Sequence, residues 1–219
     1  MNELQAVIQR HSVRKYTSKP MESDVVAPLL KEIDAINKKL NSNIQLVLNT
    51  EGVFDTEYGR LKGVRNYIAL VGKNSDNIEE VMGYYGERLV LLAQMLGLNT
   101  CWVVLTYNSD MVDIDIKNDE TLVSLIAIGY GEHEGRQHLN KDVSEVSDLT
   151  DSDPEWYKSG VECATLAPTA LNQQKFYISR SGDTVSITTN GDKYTYIDLG
   201  IVKYHFELGA GASNFKWQD

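Results

Sequence analysis

Basic residues, cysteine, proline and long apolar runs are all scarce in this chain of 219 residues. Lysine and arginine number 21 against 31 aspartates and glutamates, a formal net charge of -10 at pH 7. That balance excludes nucleic acid and anionic membrane as partners, because both need a dense basic field. A small anionic ligand stays open, since it needs only a few local positive groups. The longest strongly apolar stretch, LVLLAQML, is far too short to cross a bilayer, and the opening MNELQAVIQRHSV lacks the apolar centre of an export signal. A soluble, cytoplasmic protein is expected. Cys101 and Cys163, the only cysteines, sit in apolar surroundings with no Asn-x-Ser/Thr acceptor anywhere, and read as buried thiols in a reducing compartment. Neither GYGEHEG nor GAGASN follows a strand and opens a helix, so a Rossmann fingerprint is absent. His133 and His138, with Glu132 and Glu134, occupy a polar segment and read as solvated charge, so no metal is expected.

The chain has 42% hydrophobic residues, enough for a sizeable core in one large domain or two small ones. Val25, Val26, Leu29, Ile33, Ile36 and Leu40 recur at helical spacing over residues 22–40. NIQLVLN (43–49) and NYIALVG (66–72) read as strands, with loop over 50–63 between them. Residues 77–96 keep a 3.6-residue period up to Gly97, and Val90 and Leu91 make this helix apolar nearly all round, the mark of a central buried helix. TCWVVLT (100–106) and TLVSLIAIGYG (121–131) follow as strands. Asp153 and Pro154 read as cap and first position of a helix through Ala164. KFYISR (175–180), a Ser-Gly-Asp turn and TVSITT (184–189) form a hairpin signal, and residues 196–211 read as a second core helix before a last strand, NFKW.

The order helix, strand, strand, helix, glycine stop and Trp-containing strand occurs twice, with Glu87 to Trp102 echoed by Asp198 to Trp217. This reads as a degenerate internal duplication. The polar stretch 131–155 reads as a joint, mostly solvated linker, which sets the halves at residues 1–140 and 141–219. Trp102, Trp217 and His205 read as packing residues.

Two stretches carry chemistry. RHSVRKY places Arg10, Ser12 and Arg14 at alternate positions, so an extended segment aims two guanidinium forks and a hydroxyl one way, a set that suits a phosphate or a solvated surface. APTALNQQ offers Asn172 and Gln174 as paired donors and acceptors for the imide edge of a heteroaromatic ring, with small residues that let backbone approach closely. The same amides would equally satisfy backbone groups of their own loop.

Taken together, QRHSVRKYTSKP, LAPTALNQQKF and ERLVLLAQMLGLNTCWV followed by LIAIGYG resemble the signatures of the nitroreductase family of FMN-dependent oxidoreductases, over most of the chain. The resemblance implies an α+β nitroreductase-like fold. The usual family order puts the APT-N-Q type loop after the first helix, whereas here it follows the helix at 154–164. The family works as a homodimer whose flavin sites each draw a phosphate-binding segment from one subunit and the loop from the other. In this chain the first half keeps the segment and the second keeps the loop. The resemblance therefore implies two related α/β halves packed as a pseudo-dimer around central helices with one surviving flavin site, as in the family's single-chain subgroup.

Residue by residue, the resemblance assigns Arg10, His11, Ser12 and Arg14 to the FMN phosphate and ribityl chain. Pro168, Thr169, Ala170 and Asn172 would lie along the isoalloxazine ring. Gly59, Arg60 and Lys62 would supply polar contacts to it. Val103 and Val104 stand where the family has backbone groups, usually with a glycine, facing flavin N5. Arg136 or Lys141 would complete the phosphate site. No side chain is assigned acid-base work. The implied activity is electron transfer from NAD(P)H through FMN to a nitroaromatic, quinone or similar small acceptor by a ping-pong scheme, in a monomer or weak homo-oligomer. A non-enzymatic flavin-binding protein and a degenerate family member are the alternatives.

Overall fold

The computed structural model describes residues 1–55, 59–191 and 194–218, so residues 56–58 of the expected loop lie outside the described set. In chain order the elements are α1 (Glu3–Gln9), α2 (Ser23–Leu40), β1 (Gln45–Val47), β2 (Tyr67–Lys73), α3 (Ile78–Met95), β3 (Asn99–Val103), β4 (Glu120–Gly129), α4 (Val143–Val146), α5 (Glu155–Thr165), β5 (Phe176–Ser181), β6 (Thr184–Thr189), α6 (Thr195–Ala210) and β7 (Lys216–Trp217). They form two bodies. The sheet body comprises Gln9–Ile78 and Arg88–Gln137; the helix body comprises Met1–Ile8, Glu79–Glu87 and His138–Asp219.

The sheet body is built on an antiparallel sheet in the order β1-β2-β4-β3. Strand β2 is buried at every residue but its last, which explains its unbroken apolar run. Tyr67, Ala69, Val71, Leu125 and Ala127 pack on one face with Val13, Tyr16, Phe54, Leu61, Cys101 and Val103. The helix α2 turns Val25, Leu29, Ile33 and Ile36 inward and keeps Pro28 within its first turns. Its C-terminus closes on Asn41 in the left-handed region (φ 52°), whose N–H donates to the Asn37 carbonyl.

The helix body is organised around α6, buried on most sides: Ile197, Asp198, Ile201, Val202, Tyr204, His205 and Phe206 are all covered. Close approach depends on glycine. A Cβ on Gly200 would sit 1.9 Å from the Glu80 carbonyl oxygen, and one on Gly83 would sit 2.1 Å from that of Ile197. On the α5 side, a Cβ on Gly209 would lie 2.3 Å from the Ser159 carbonyl oxygen. The helices are also tied by Tyr84 donating to Glu207 at 2.9 Å and Lys203 donating to Glu80 at 2.5 Å. The hairpin β5-β6 turns on Gly182 at φ 64°, and β7 joins β6 in parallel. Trp217 is half-buried and packs on Phe206 and Phe215.

Three expectations need correction. Pro154, not Asp153, occupies the cap position of α5, because the Asp153 carboxylate is drawn to the Thr150 N–H and the Arg180 guanidinium. The stretch 131–155 is more than a solvated linker: Asp142 and Glu145 form a capping box on α4, Val146 is buried, and Ser147 bridges Ile178. His205 does more than pack. Its Nε2 lies 2.9 Å from Glu87 Oε1 and its Nδ1 lies 3.2 Å from the Cys163 carbonyl oxygen, all fully covered.

The helix contact is directly testable. Gly200→Ala must drive a methyl into the Glu80 carbonyl, so a loss of about 3 kcal/mol is expected, or roughly 6–12 °C in a thermal melt. A melting temperature within about 2 °C of the parent would contradict the close approach.

Candidate functional site

Residues 10–17 run extended across the sheet body. Ser12 bridges Thr100 of β3, Lys15 bridges Lys62, and Tyr16 bridges Gly131. The Val13 N–H donates to the Thr100 carbonyl at 3.0 Å, and Lys62 N–H to the Arg14 carbonyl at 2.9 Å. Gly63 makes this approach workable at φ 71°, since a Cβ there would meet the Tyr16 carbonyl oxygen at 2.4 Å. The pairing sets Arg14 and Lys15 against Lys62 in a chain that is otherwise acidic. Burial is uneven along the segment: Arg10 is 4% exposed, Ser12 is half-buried and Arg14 is exposed. Val13 and Tyr16 are the residues that turn into the core.

Electrostatics follow from that placement. Burial holds the His11 imidazole below its usual pKa, with the Arg10 charge adding to the effect. Burial raises the Cys101 thiol, while Arg14 and Arg10 pull against it. Both guanidinium groups thus project their field onto β3. Of the other sheet-body residues assigned from sequence, Gly59 and Val104 are half-buried, Val103 is buried, and Arg60, Lys62 and Arg136 are exposed. A cavity of about 210 Å³ in this body is lined by Lys19, Asn49, Arg65 and Asn66 among others, and includes none of the residues assigned from sequence.

The amide-rich loop belongs to the helix body. Leu171, Asn172 and Gln174 all adopt positive φ, at 53°, 56° and 48°. Three non-glycine residues in that region within four positions are unfavourable and need fixing from outside. Asp198, in the first turn of α6, supplies part of it: both its carboxylate oxygens accept from the Ala170 N–H, at 2.9 and 3.1 Å. Gln174, 3% exposed, supplies more. Its amide donates to the Leu139 carbonyl at 3.0 Å and accepts from the Lys141 N–H at 2.9 Å, while its own N–H donates to Thr169 Oγ1. Asn172 also donates to the Leu139 carbonyl, at 2.9 Å, and accepts from Gln174. The amides therefore tie this loop chiefly to the segment at Leu139, a partner that the sequence does not show, with one local bond from Gln174 to the Asn172 carbonyl. The Lys141 ammonium likewise donates to the Gln174 carbonyl at 3.1 Å.

Sequence reasoning passes over Asp198. A lone carboxylate inside the apolar run YIDLGIV is the available signal, since an acid there must be partnered or neutralised. Burial raises its pKa to about 7, opposed only by the Ala170 N–H. Glu87 escapes in the same way within GERLVLLAQML.

This mixture of helices with two separate sheets is an α+β fold of the nitroreductase type. The family model described as "Putative TM nitroreductase" matches residues 2–210. The chain belongs to that family. A "putative nitroreductase" of Thermotoga maritima is 23% identical with a TM-score of 0.71, covering 97% of this chain and 85% of its own. A "putative nitroreductase" of Desulfovibrio desulfuricans, solved in complex with FMN, is 19% identical with a TM-score of 0.53, covering 70% of this chain and 99% of its own. An "FMN-dependent nitroreductase" of Clostridium difficile is 19% identical with a TM-score of 0.51, covering 68% and 99%. No curated protein matches the chain.

The raised pKa of Asp198 gives a signed prediction. The folded group holds a proton up to about pH 7, whereas the unfolded group releases it near its ordinary value of 3.8. Its contribution to stability is thus full at low pH and is lost as pH rises through 7. Asp198→Asn keeps an acceptor for Ala170 without the charge, so the variant is expected to gain on the parent between pH 5 and pH 8. Parallel melting curves over that range would refute the assignment.

Proposed function

We propose that this chain is an FMN-dependent oxidoreductase that passes electrons from NAD(P)H to a nitroaromatic, quinone or similar small acceptor. The observation that carries the reading is the segment 10–16, which bears two arginines and a serine and is locked by backbone pairing to β3 and to residues 62 and 131, in a family member whose overall charge is acidic. That donor set fits a phosphate: charge-assisted bonds from guanidinium groups, with a hydroxyl beside them. Arg10, Ser12 and Arg14 would hold it, with His11 kept neutral to serve the ribityl chain. Pro168, Thr169, Ala170 and Asn172 would lie along the ring. Because the Asn172 and Gln174 side chains are engaged in the loop, backbone groups of residues 169–172 are the better ring contacts. Gly59, Arg60 and Lys62 would place positive charge where reduction leaves negative charge. Lys141 is tied to Gln174, which favours Arg136 as the further basic residue.

FMN, when bound, supplies the reversible two-electron chemistry, and the chain supplies position, electrostatics and access. No side chain is given an acid-base role. A pseudo-dimer from internal duplication is part of the reading. It is supported by element order and by strand direction: β2 and β3 run parallel with β4 between them, and β6 and β7 run parallel side by side. Monomer or weak homo-oligomer, and cytoplasmic location, complete it; no helix among the described residues is long and apolar enough to cross a membrane. A non-enzymatic flavin binder is the second reading, favoured by Val103 and Val104 where the family usually has a glycine.

The visible spectrum of the purified protein decides between them. Flavin bands that bleach on anaerobic addition of NADH or NADPH are expected; bands that persist support the binder, and no bands after FMN is supplied reject both. Arg14→Ala is expected to weaken FMN binding by roughly 10- to 100-fold, as charge-assisted bonds are each worth about 1.5–3 kcal/mol. An unchanged fluorescence titration would remove Arg14 from the phosphate site.

A further inference from the structure

The cavity of about 210 Å³ in the sheet body has no part in the flavin reading. Residues 16–20 supply one part of its lining, Gly63, Arg65 and Asn66 a second, and Ile128 with Gly129 at the end of β4 a third. Backbone bonds fix all three. The Tyr16 N–H donates to the Lys62 carbonyl at 2.9 Å, Thr17 N–H to the Tyr130 carbonyl at 2.8 Å, and Ile128 N–H to the Asn66 carbonyl at 3.1 Å. Asn49 completes the lining in the left-handed region (φ 57°), where its N–H donates to Asn66 Oδ1 at 3.1 Å. Glycine keeps the space open: a Cβ on Gly129 would lie 3.2 Å from the Tyr16 ring and 3.7 Å from Asn66 Nδ2, two of the groups that line it. Glycine within a strand commonly marks the close approach of backbone or of a ligand.

A polar cavity of this size holds water at least. Its charge asks for more. Lys19 and Arg65 both line it, and none of the described lining residues is acidic, in a chain with 31 aspartates and glutamates. The Lys19 ammonium lies 3.8 Å from the centroid of the Tyr130 ring, a contact that leaves its charge uncancelled. Arg65 Nη2 donates to Glu51 at 3.2 Å, but that pair is open to water, with side chains 46% and 83% exposed, and exchanges readily for another carboxylate. Further in, Asn66 is only 7% exposed. Its Oδ1 accepts from Asn49 and its Nδ2 donates to the Ile128 carbonyl at a long 3.4 Å, and a carboxamide that can make four bonds has two more to give.

Size narrows the ligand. At about 30 Å³ for each water, the cavity has room for about seven water-sized groups, more than one inorganic oxyanion fills and less than a nucleotide needs. We propose that this cavity is a second binding site, separate from the flavin site, for a small organic carboxylate. Arg65 and Lys19 meet its carboxylate, and Asn66 meets a hydroxyl or carbonyl oxygen on the same molecule. The site does not depend on the flavin reading.

Thermal melting in sodium succinate and sodium malate tests it, against sodium phosphate and sodium chloride at matched ionic strength. At ten times its Kd, a bound acid is expected to raise the melting temperature by about 3–6 °C, with no matching rise in phosphate or chloride. Lys19→Gln and Arg65→Gln are each expected to weaken the acid roughly tenfold while melting within about 2 °C of the parent without it, as both side chains reach solvent. If Arg65→Gln does not fold, Lys19→Gln alone decides. Arg14→Ala, which alters the basic segment instead, is expected to keep the acid Kd within about twofold. An equal rise in all four salts would reduce the effect to general ionic stabilisation and overturn the proposal. It is overturned as well if neither acid shifts the melt, or if the shift survives in Lys19→Gln and disappears in Arg14→Ala.

Discussion

Helix α6 can lie against α3 and α5 only because glycine stands at the points of closest approach. Backbone of one helix occupies the space that a side chain of the other would need, at Gly83, Gly200 and Gly209. Such proximity leaves no room for water, so the polar groups caught there must satisfy each other. The Glu87 carboxylate and the His205 imidazole do so, with the Cys163 carbonyl taking up the second ring nitrogen. A pair this deeply covered adds little net stability by itself, but losing one member removes a buried hydrogen bond from the other, typically at about 1–3 kcal/mol. It therefore acts to specify how the helices meet.

The same helix governs the loop. Its first turn carries Asp198, whose carboxylate grips the Ala170 N–H, and the position of that carboxylate follows from the depth at which α6 is seated. From Ala170 onward the chain makes a succession of left-handed residues held by Gln174 and Asn172. A loop so conditioned is a rigid object, with few accessible states to lose on binding, and rigidity of this kind favours ligand affinity. The basic segment 10–16 owes its fixation to something else, a ladder of backbone bonds to β3 and to residues 62 and 131. One segment is held mainly by side chains, the other by backbone.

Much of this is legible in the amino-acid order. The helical period of residues 22–40 and 77–96, the glycine stops at Gly97 and Gly211, and the hairpin at Gly182 all follow from local rules that need no partner. The basic segment is legible because its residue types are unusual in an acidic chain. What escapes are properties of long-range pairing. Glu87 and His205 are separated by 118 residues, and nothing near either one marks it as half of a pair. The protein partner of the Asn172 and Gln174 amides is hidden because a sequence shows the donors and not the Leu139 carbonyl that receives them. Asp153 reads as a cap for the same reason: Arg180, which engages its carboxylate, lies far along the chain.

The central claim is that the backbone-held segment and the side-chain-held loop serve the same flavin. Amide hydrogen exchange followed by mass spectrometry during an FMN titration tests it most directly. Slowed exchange in peptides covering residues 10–16 and residues 167–174, with the same midpoint in flavin concentration, is the predicted result. Protection confined to one of the two, or absent from both while the flavin is demonstrably bound, would contradict it.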